Sequence, residues 1–355
     1  MDFGYLKQWI DKAEFLAWAR EFADMESDCC FRYPKCEFTA IWIQRKKKNQ
    51  ERPGITMDGI LNVYKEKGYT SHDVVAKLRG ILKQKKIGHT GTLDPDAEGV
   101  LPVCLGSATK VCDLLTDKDK TYVAVLLLGQ ETDTQDTSGT VLHQAEVQAN
   151  AAEVESCIMS FVGEYDQIPP MYSALKVNGK KLYELAREGK VIEREARRVQ
   201  IHSIRILEIN LPRVRMEVTC SKGTYIRTLC HDIGQKLGCY GCMEKLLRTS
   251  VSVFKLSQAA TLAAIEAWRD GGEVEKHLIQ VPDLFPDYPR IQVKEAASYL
   301  VYNGNPVSGW DLQSQLPKEQ QTFLLYDHAG QFIGIFRWNP EKRKYFPEKM
   351  FYQKA

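Results

Sequence analysis

The stretch Gly88–Val103, reading Gly-His-Thr-Gly-Thr-Leu-Asp-Pro-Asp-Ala-Glu-Gly-Val-Leu-Pro-Val, concentrates groups that can do chemistry. Asp94 precedes Pro95. A proline ring disfavours the α region for the residue before it, so the backbone at Asp94 is expected to be extended and its carboxylate held in a defined direction. An isolated Asp-Pro pair is ordinarily a turn closed by an Asx hydrogen bond. This one has company: His89 in the same loop, Tyr122 in an apolar stretch, and Tyr225 and Arg227 where a strand pattern gives way to a helical one, a favoured place for functional groups. A carboxylate beside an arginine and aromatics suits covalent or acid–base chemistry on a sugar or a base. The competing reading is a glycosidase-like hydrolase, with Asp96 or Glu98 as the second carboxylate. The residues alone do not separate the two. The sequence contains no Walker loop, dinucleotide glycine fingerprint or metal-ligand cluster.

The elements that must position these groups are bounded by composition. A chain of 355 residues with 44% hydrophobic content can build one large domain and one small module. Its formal net charge of +2 falls short of a general nucleic-acid coat protein, so nucleic-acid binding requires basic residues gathered on one face. Ten cysteines at irregular positions, without a secretory leader pattern, do not make a disulfide framework and point to a reducing cytoplasm. The longest clean apolar run, Val123–Leu128, is far too short to span a bilayer and reads as a fully buried strand.

Residues 1–56 differ in character from the rest of the chain. Leu6, Trp9, Ile10, Ala13, Leu16 and Ala17 recur at helical spacing. Cys29, Cys30 and Cys36 lack zinc-site spacing, and Arg45–Lys48 reads as a solvated linker. From Met57 a β-like segment runs to Tyr64. Ser71 then stands as N-cap before the helical stripe Val74, Val75, Leu78, Ile81 and Leu82, and Gly68–Ser71 beside Lys65 could hold a backbone phosphate. Further helices are expected at Ser107–Leu115, Ala151–Val162, Leu182–Glu188, after Tyr225, and around Leu262–Trp268. Between them lie the polar loop Gly129–Gly139, the rigid loop around Pro169-Pro170, and a strand pair, Val199–Ile209 with Val214–Thr219. Cys239-x-x-Cys242 has no second pair nearby to complete a zinc site. Pro282, Pro286 and Pro289 mark a domain boundary, and two strands about Gly330 suggest a small β-barrel-like tail.

Taken together, Gly88–Pro95, Gly99–Val103, Tyr69–Asp73, Ser173–Lys176 and Gly223–Arg227 resemble the motifs of the TruB family of tRNA pseudouridine synthases, in its bacterial form. The resemblance runs from about Met57 to Leu284, and the tail from about Pro289 is similar to that family's small RNA-binding PUA-like module. It implies an α+β fold with a mixed, mostly antiparallel sheet flanked by helices and loops, plus a β-rich tail. The division is then 1–56 as an N-terminal extension, 57–285 as the catalytic domain and 289–355 as the PUA-like domain. It further implies a cytoplasmic, monomeric isomerase acting on the T-loop uridine at position 55 of tRNA. Such an enzyme flips the base, breaks the glycosidic bond and re-forms it through C5. No cofactor, metal, membrane or obligate protein partner is implied. The RNA partner is the T-loop stem, with the acceptor stem as a further contact for the tail. A tRNA folding chaperone with incidental catalysis is the alternative.

Residue by residue, the resemblance makes Asp94 the catalytic aspartate, Arg227 its partner and Tyr122 the ring that stacks on the flipped uracil and helps remove the C5 proton. Tyr225 and Leu247 would line the pocket, and His89 would support the extruded nucleotide. Lys65, Lys176 and Lys180 would contact phosphate, as would the turn at Ser71. Two departures stand out. Glu66 replaces a proline common in the family's first motif, which loosens that turn. Family chains commonly begin near Met57, so residues 1–56 are read as an upstream-start artefact in preference to a lineage-specific extension.

Overall fold

The structure, a computed structural model, describes residues 56–177, 179–314 and 321–352. The helix, cysteines and basic run expected before Thr56 lie outside the described residues. Along the chain come β1 (Gly59–Lys65), α1 (Ser71–Leu82), β2 (Ile87–His89), β3 (Glu98–Leu105), a 3-10 segment (Gly106–Val111) leading into α2 (Cys112–Thr116), β4 (Lys120–Leu128), β5 (Gln130–Thr132), β6 (Val141–Gln144), α3 (Ala151–Met159), β7 (Gly163–Gln167), β8 (Lys176–Val177), β9 (Lys180–Lys181) and α4 (Leu182–Arg187). There follow β10 (Arg197–Asn210), β11 (Arg213–Cys220), α5 (Ile226–Lys236), β12 (Gly241–Val251), β13 (Phe254–Lys255), α6 (Leu262–Gly271), β14 (Arg290–Gln292), α7 (Ser298–Tyr302), β15 (Thr322–Tyr326), β16 (Phe332–Asn339) and β17 (Lys344–Met350). None of the described helices is long and apolar enough to cross a membrane.

Nine strands form one sheet in the order β1-β3-β12-β4-β11-β10-β7, with β2 on β3 and β13 on β12. Its pairs are antiparallel except for a short parallel contact of β12 with β3, so the chain has the α+β, mostly antiparallel fold expected. A separate four-stranded sheet, β14-β15-β16-β17, makes the β-rich tail.

Side-chain periodicity explains the layers. Along β4 the even positions Tyr122, Ala124, Leu126 and Leu128 are buried, whereas Val123, Val125 and Leu127 are half-buried. This strand is therefore not enclosed on both faces, contrary to the expectation for Val123–Leu128. The reason is one-sided cover: Val154 and Ile158 of α3 and Ile226, Leu229 and Ile233 of α5 pack on the even face only. On the odd face, Arg215 and Glu217 of β11 stand opposite Val125 and Val123. A period-2 strand with helices on one side leaves its alternate residues toward solvent.

A second cluster spans both sheets. Ile60 and Val100 from the large sheet pack with Leu324, Ile335 and Phe351 from the small one, and Val281, Leu284 and Phe285 of the proline-rich crossing join them. Lys349 Nζ also reaches Asp113 at 2.6 Å. The tail's sheet is thus seated on the large sheet through apolar contact.

The cap of α1 stands one residue earlier than the expected Ser71. Thr70 is the N-cap: its hydroxyl accepts from the Asp73 amide at 3.1 Å, and the Asp73 carboxylate accepts from the Thr70 amide at 2.8 Å. That reciprocal pair satisfies two helix-end donors at once. Ser71 is the first helical residue and is buried.

Candidate active site

The loop carrying Asp94 leaves β2 and returns on β3, which pair antiparallel through Gly88 with Cys104 and His89 with Val103. Residues 90–97 therefore project from two adjacent strand ends, and a set of buried polar side chains ties them down. Lys65 Nζ donates to the carbonyls of Ala97 at 2.6 Å, Pro95 at 3.1 Å and Glu66 at 3.2 Å. The Ser71 hydroxyl accepts from the Leu93 amide at 2.9 Å. Arg248 Nε donates to the Val100 carbonyl at 2.8 Å. The Ala97 amide closes back on the Asp94 carbonyl at 3.1 Å, forming the turn that an Asp-Pro pair promises. At the far end Gly99 has φ +108°, and a β-carbon there would lie 2.2 Å from the Arg248 carbonyl, so only glycine lets β3 approach β12 this closely.

Arg227 arrives from the opposite side, on the first turn of α5, where the strand β11 hands over to helix. Its Nε is 3.1 Å from Asp94 Oδ2 and its Nη2 is 3.4 Å from Asp94 Oδ1, a two-pronged contact. The remaining donors are occupied as well: Nη2 donates to the Tyr172 carbonyl at 2.8 Å, and Nη1 to the Thr134 carbonyl at 3.0 Å, with Asp136 Oδ2 at 3.5 Å. Arg227 is buried, whereas the Asp94 side chain keeps 41% of its surface open. That open side is where a substrate can reach the carboxylate. Burial pushes the Asp94 carboxyl above its ordinary value; Arg227 opposes that rise and the nearby Asp136 adds to it.

Tyr122 is buried on the even face of β4, in the apolar cluster that also holds Leu93, the neighbour of Asp94, and its phenol feels the Asp94 charge. Directly across the β12–β4 ladder stands Arg248, itself 1% exposed, so the two side chains share a face. Burial raises the Tyr122 phenol and the Arg248 charge pulls it back down. The same ladder pairs Leu246 with Ala124 and Leu247 with Val123. Leu246 therefore packs into the cluster containing Tyr122 and Leu93, and Leu247 faces the other side of the sheet. Leu247, expected to line a pocket with Tyr122, thus stands on the face away from it, and Leu246 shares the Tyr122 face, because a one-residue step along a strand reverses the face.

Three other expectations change or narrow. Lys65 is completely buried and bonded to three carbonyls, so it positions the Asp94 loop and does not contact phosphate. Ser71 is equally withdrawn, holding Leu93. His89 is half-buried; its Nδ1 faces the Gly91 amide at 3.3 Å and its ring meets His72 edge-on at 5.1 Å. Burial and the neighbouring His72 hold it below the ordinary imidazole range, so it is neutral near pH 7. Tyr225 is the residue before α5, with its amide and carbonyl both clamped by the Gln167 side chain at 2.7 and 3.0 Å. Lys180 is exposed and sits 3.5 Å from Glu188. Lys176 lies on β8, with its side chain outside what is described. Of the rival carboxylates, Asp96 is exposed near Lys67 and Glu98 accepts from the Tyr64 hydroxyl at 3.2 Å.

Sequence reasoning misses Asp136, Arg248 and Lys120. Lys120 donates to the carbonyls of Lys118 at 2.6 Å and Thr116 at 3.0 Å, and burial draws it down to about 8. Asp136 hides in a run of turn-forming residues, where polar groups are ordinary. Arg248 carries a readable signal: a lone arginine two positions from Leu246 on a strand, on the same face as a leucine.

Known proteins share this architecture. Residues 79–226 match the family described as TruB family pseudouridylate synthase (N terminal domain), and residues 227–281 match the tRNA pseudouridylate synthase B C-terminal domain. A tRNA pseudouridine synthase B of Lachnoclostridium phytofermentans is 54% identical over 83% of this chain and 100% of its own. One of Alkaliphilus oremlandii is 51% identical over 81% of this chain and 96% of its own. Among solved structures, the crystal structure of a Cbf5-Nop10-Gar1 complex contains a chain 26% identical, with TM-score 0.63 over 83% of this chain and 84% of that one. Matching domains in order, together with relatives covered almost end to end, make this chain a member of the TruB family.

Proposed function

We propose that this protein converts uridine 55 in the T-loop of tRNA to pseudouridine, in the cytoplasm and as a monomer. The observation that carries the reading is the Asp94 carboxylate, gripped by the buried Arg227 yet open on one side, with Tyr122 close enough to feel its charge. The family membership supports it, since the relatives are named tRNA pseudouridine synthase B.

The glycosidic carbon is unreachable in a stacked loop, so the uridine must be extruded, at a cost of a few kcal/mol. Stacking on an aromatic ring is worth about 1–3 kcal/mol per base, and Tyr122 offers that platform. Asp94, ionised and oriented by Arg227, drives cleavage of the bond between uracil N1 and ribose C1′. The base turns, C5 bonds to C1′, and the C5 proton leaves while N1 regains one, so product and substrate are isomers. To take the C5 proton Tyr122 acts as its phenolate, the form that the charge of the neighbouring Arg248 favours against the effect of burial, and it is left as the neutral phenol. Arg227 cannot drift, because three protein acceptors hold it besides Asp94. His89, neutral and at the pocket rim, supports the extruded nucleotide. Lys180 and Lys176 contact phosphate from the arm between Pro169 and Glu188, and the β-rich tail contacts the acceptor stem.

The test is release of tritium from T-stem-loop RNA labelled at uracil C5. The folded wild-type protein is expected to release the label to water and Asp94→Asn to release none. Absence of release from the wild type overturns the reading, and free uracil in place of pseudouridine would favour a hydrolase.

A further inference from the structure

Arg227 is set by Asp136 and Thr134, both in the loop of the β5–β6 hairpin, and that loop must itself be fastened to α5. The fastening lies outside the pocket. His231, one turn along α5 from Arg227, has Nε2 2.9 Å from Glu131 Oε1 on β5 and Nδ1 2.8 Å from Asp232 Oδ1. The second Glu131 oxygen is 2.9 Å from His143 Nδ1 on β6, and the second Asp232 oxygen accepts the Tyr165 hydroxyl from β7. On α5 itself the Gln235 amide approaches Nε2 at 3.3 Å, and the Thr228 hydroxyl reaches the Gln135 side chain at 2.7 Å.

Both ring nitrogens of His231 therefore face carboxylate oxygens. A neutral imidazole has one N–H and would turn the lone pair of its other nitrogen toward a carboxylate, whereas an imidazolium satisfies both. Only 19% of the His231 side chain and 16% of Glu131 reach solvent, so the pairing is poorly screened. Burial pulls the ring's affinity for a proton down, but the bonds to Asp232 and Glu131 and their charges outweigh it and raise it above the ordinary imidazole value.

We propose that His231 is a positioning residue for the isomerisation: as an imidazolium bridging Glu131 and Asp232, it pins the β5–β6 hairpin to α5 and so fixes Arg227 between Asp136 and Asp94. The proposal rests on the isomerase reading above. Loss of the proton releases one of the two bonds and loosens the hairpin's hold on Arg227, and through it on Asp94, without a proton leaving any group that touches substrate. Activity should therefore follow the charge on His231.

The experiment measures kcat and KM for tritium release from T-stem-loop RNA between pH 6 and 9, alongside an NMR titration of the His231 ring in the full chain. Wild-type kcat is expected to fall about tenfold with a midpoint matching the His231 titration, while KM moves less than about twofold. Any limb from Lys65 or Lys120, both drawn down to about 8, is common to all variants; against it, His231→Gln should lack the limb that follows the His231 ring and stay at the low value, and His231→Arg, which keeps its charge, should lack it and stay at the high one. Should His231→Gln fail to fold by circular dichroism, Glu131→Gln reports instead and is expected to remove the same pH limb. Wild-type kinetics and pH profile in either glutamine variant, or a ring that titrates below pH 6, would overturn the proposal. A wild type that releases no tritium overturns the isomerase reading, and the titration still reports the charge of His231.

Discussion

Lys65 and Ala97 are joined by a 2.6 Å hydrogen bond from ammonium to carbonyl, completely shielded from solvent beneath the loop that carries Asp94. The same ammonium reaches the Pro95 carbonyl at 3.1 Å, so one cation holds the backbone on both sides of Asp96.

Removing that cation should loosen the loop. Lys65→Met leaves these carbonyls without their charged donor, and a loss of about 2–4 kcal/mol is expected in urea unfolding. The pH dependence has a definite sign. Burial draws Lys65 down to about 8 from 10.5, so between those values the native protein releases a proton that the unfolded chain still holds. Unfolding then takes up a proton, and wild-type stability gains relative to Lys65→Met as pH rises through that window. Paired unfolding curves at pH 7 and pH 10 check this.

Asp94→Asn should separate activity from stability. Tritium release is expected to fall by at least about a thousandfold. Burial raises the Asp94 carboxyl above 3.8, so the folded state prefers it protonated, and its ionised form adds no stability at neutral pH. The amide variant should accordingly be as stable as the wild type or up to about 1 kcal/mol more so. In the wild type, kcat should decline as pH falls through that raised value. Thermal melts and an acid-side pH profile are the measurements.

The two adjacent leucines of β12 should behave differently. Leu246 shares the Tyr122 face, so Leu246→Ala is expected to lower kcat/KM about tenfold by opening the pocket wall. Leu247→Ala, on the other face, should stay within about threefold of wild type. Steady-state kinetics on both variants decide it, and the reverse order would contradict the strand register.

Arg248→Met should act on Tyr122 and on the loop together. The Val100 carbonyl loses its donor, costing about 2–3 kcal/mol, and the cation opposing the rise of the Tyr122 phenol disappears. Expected are a kcat about a hundredfold lower with KM little changed, and a phenol that ionises at higher pH in an ultraviolet titration. Arg248→Lys should recover part of the shift and little of the stability, because lysine cannot reproduce the fork.

Much of the site can be read along the chain because its residues are marked by local chemistry. Asp94 is announced by Pro95, and Arg227 by its place at a strand-to-helix junction. The strands β10 and β11 and the helices α1, α3 and α5 follow from hydrophobic period. Direction is what local chemistry leaves out. Lys65 and Lys180 are both lysines near turns, yet one is enclosed under a loop and the other is exposed beside Glu188. Leu246 and Leu247 are identical side chains one step apart, and a bulge-bearing strand gives no local sign of which faces inward.

The order of residues settles which groups are present and what local backbone each prefers: an extended Asp94, helices where apolar residues recur at helical spacing, strands where they alternate. Packing settles which groups meet. Asp94, Asp136, Arg227 and Arg248 come from four separate segments, and their distances depend on how β3, β12, β4 and α5 stack, which is a matter of register and one-sided cover between elements far apart in the chain. Burial, too, is a property of the packed whole, and it is burial that makes Lys65 a tether, Arg248 a partner for Tyr122 and His231 a bridge between two carboxylates.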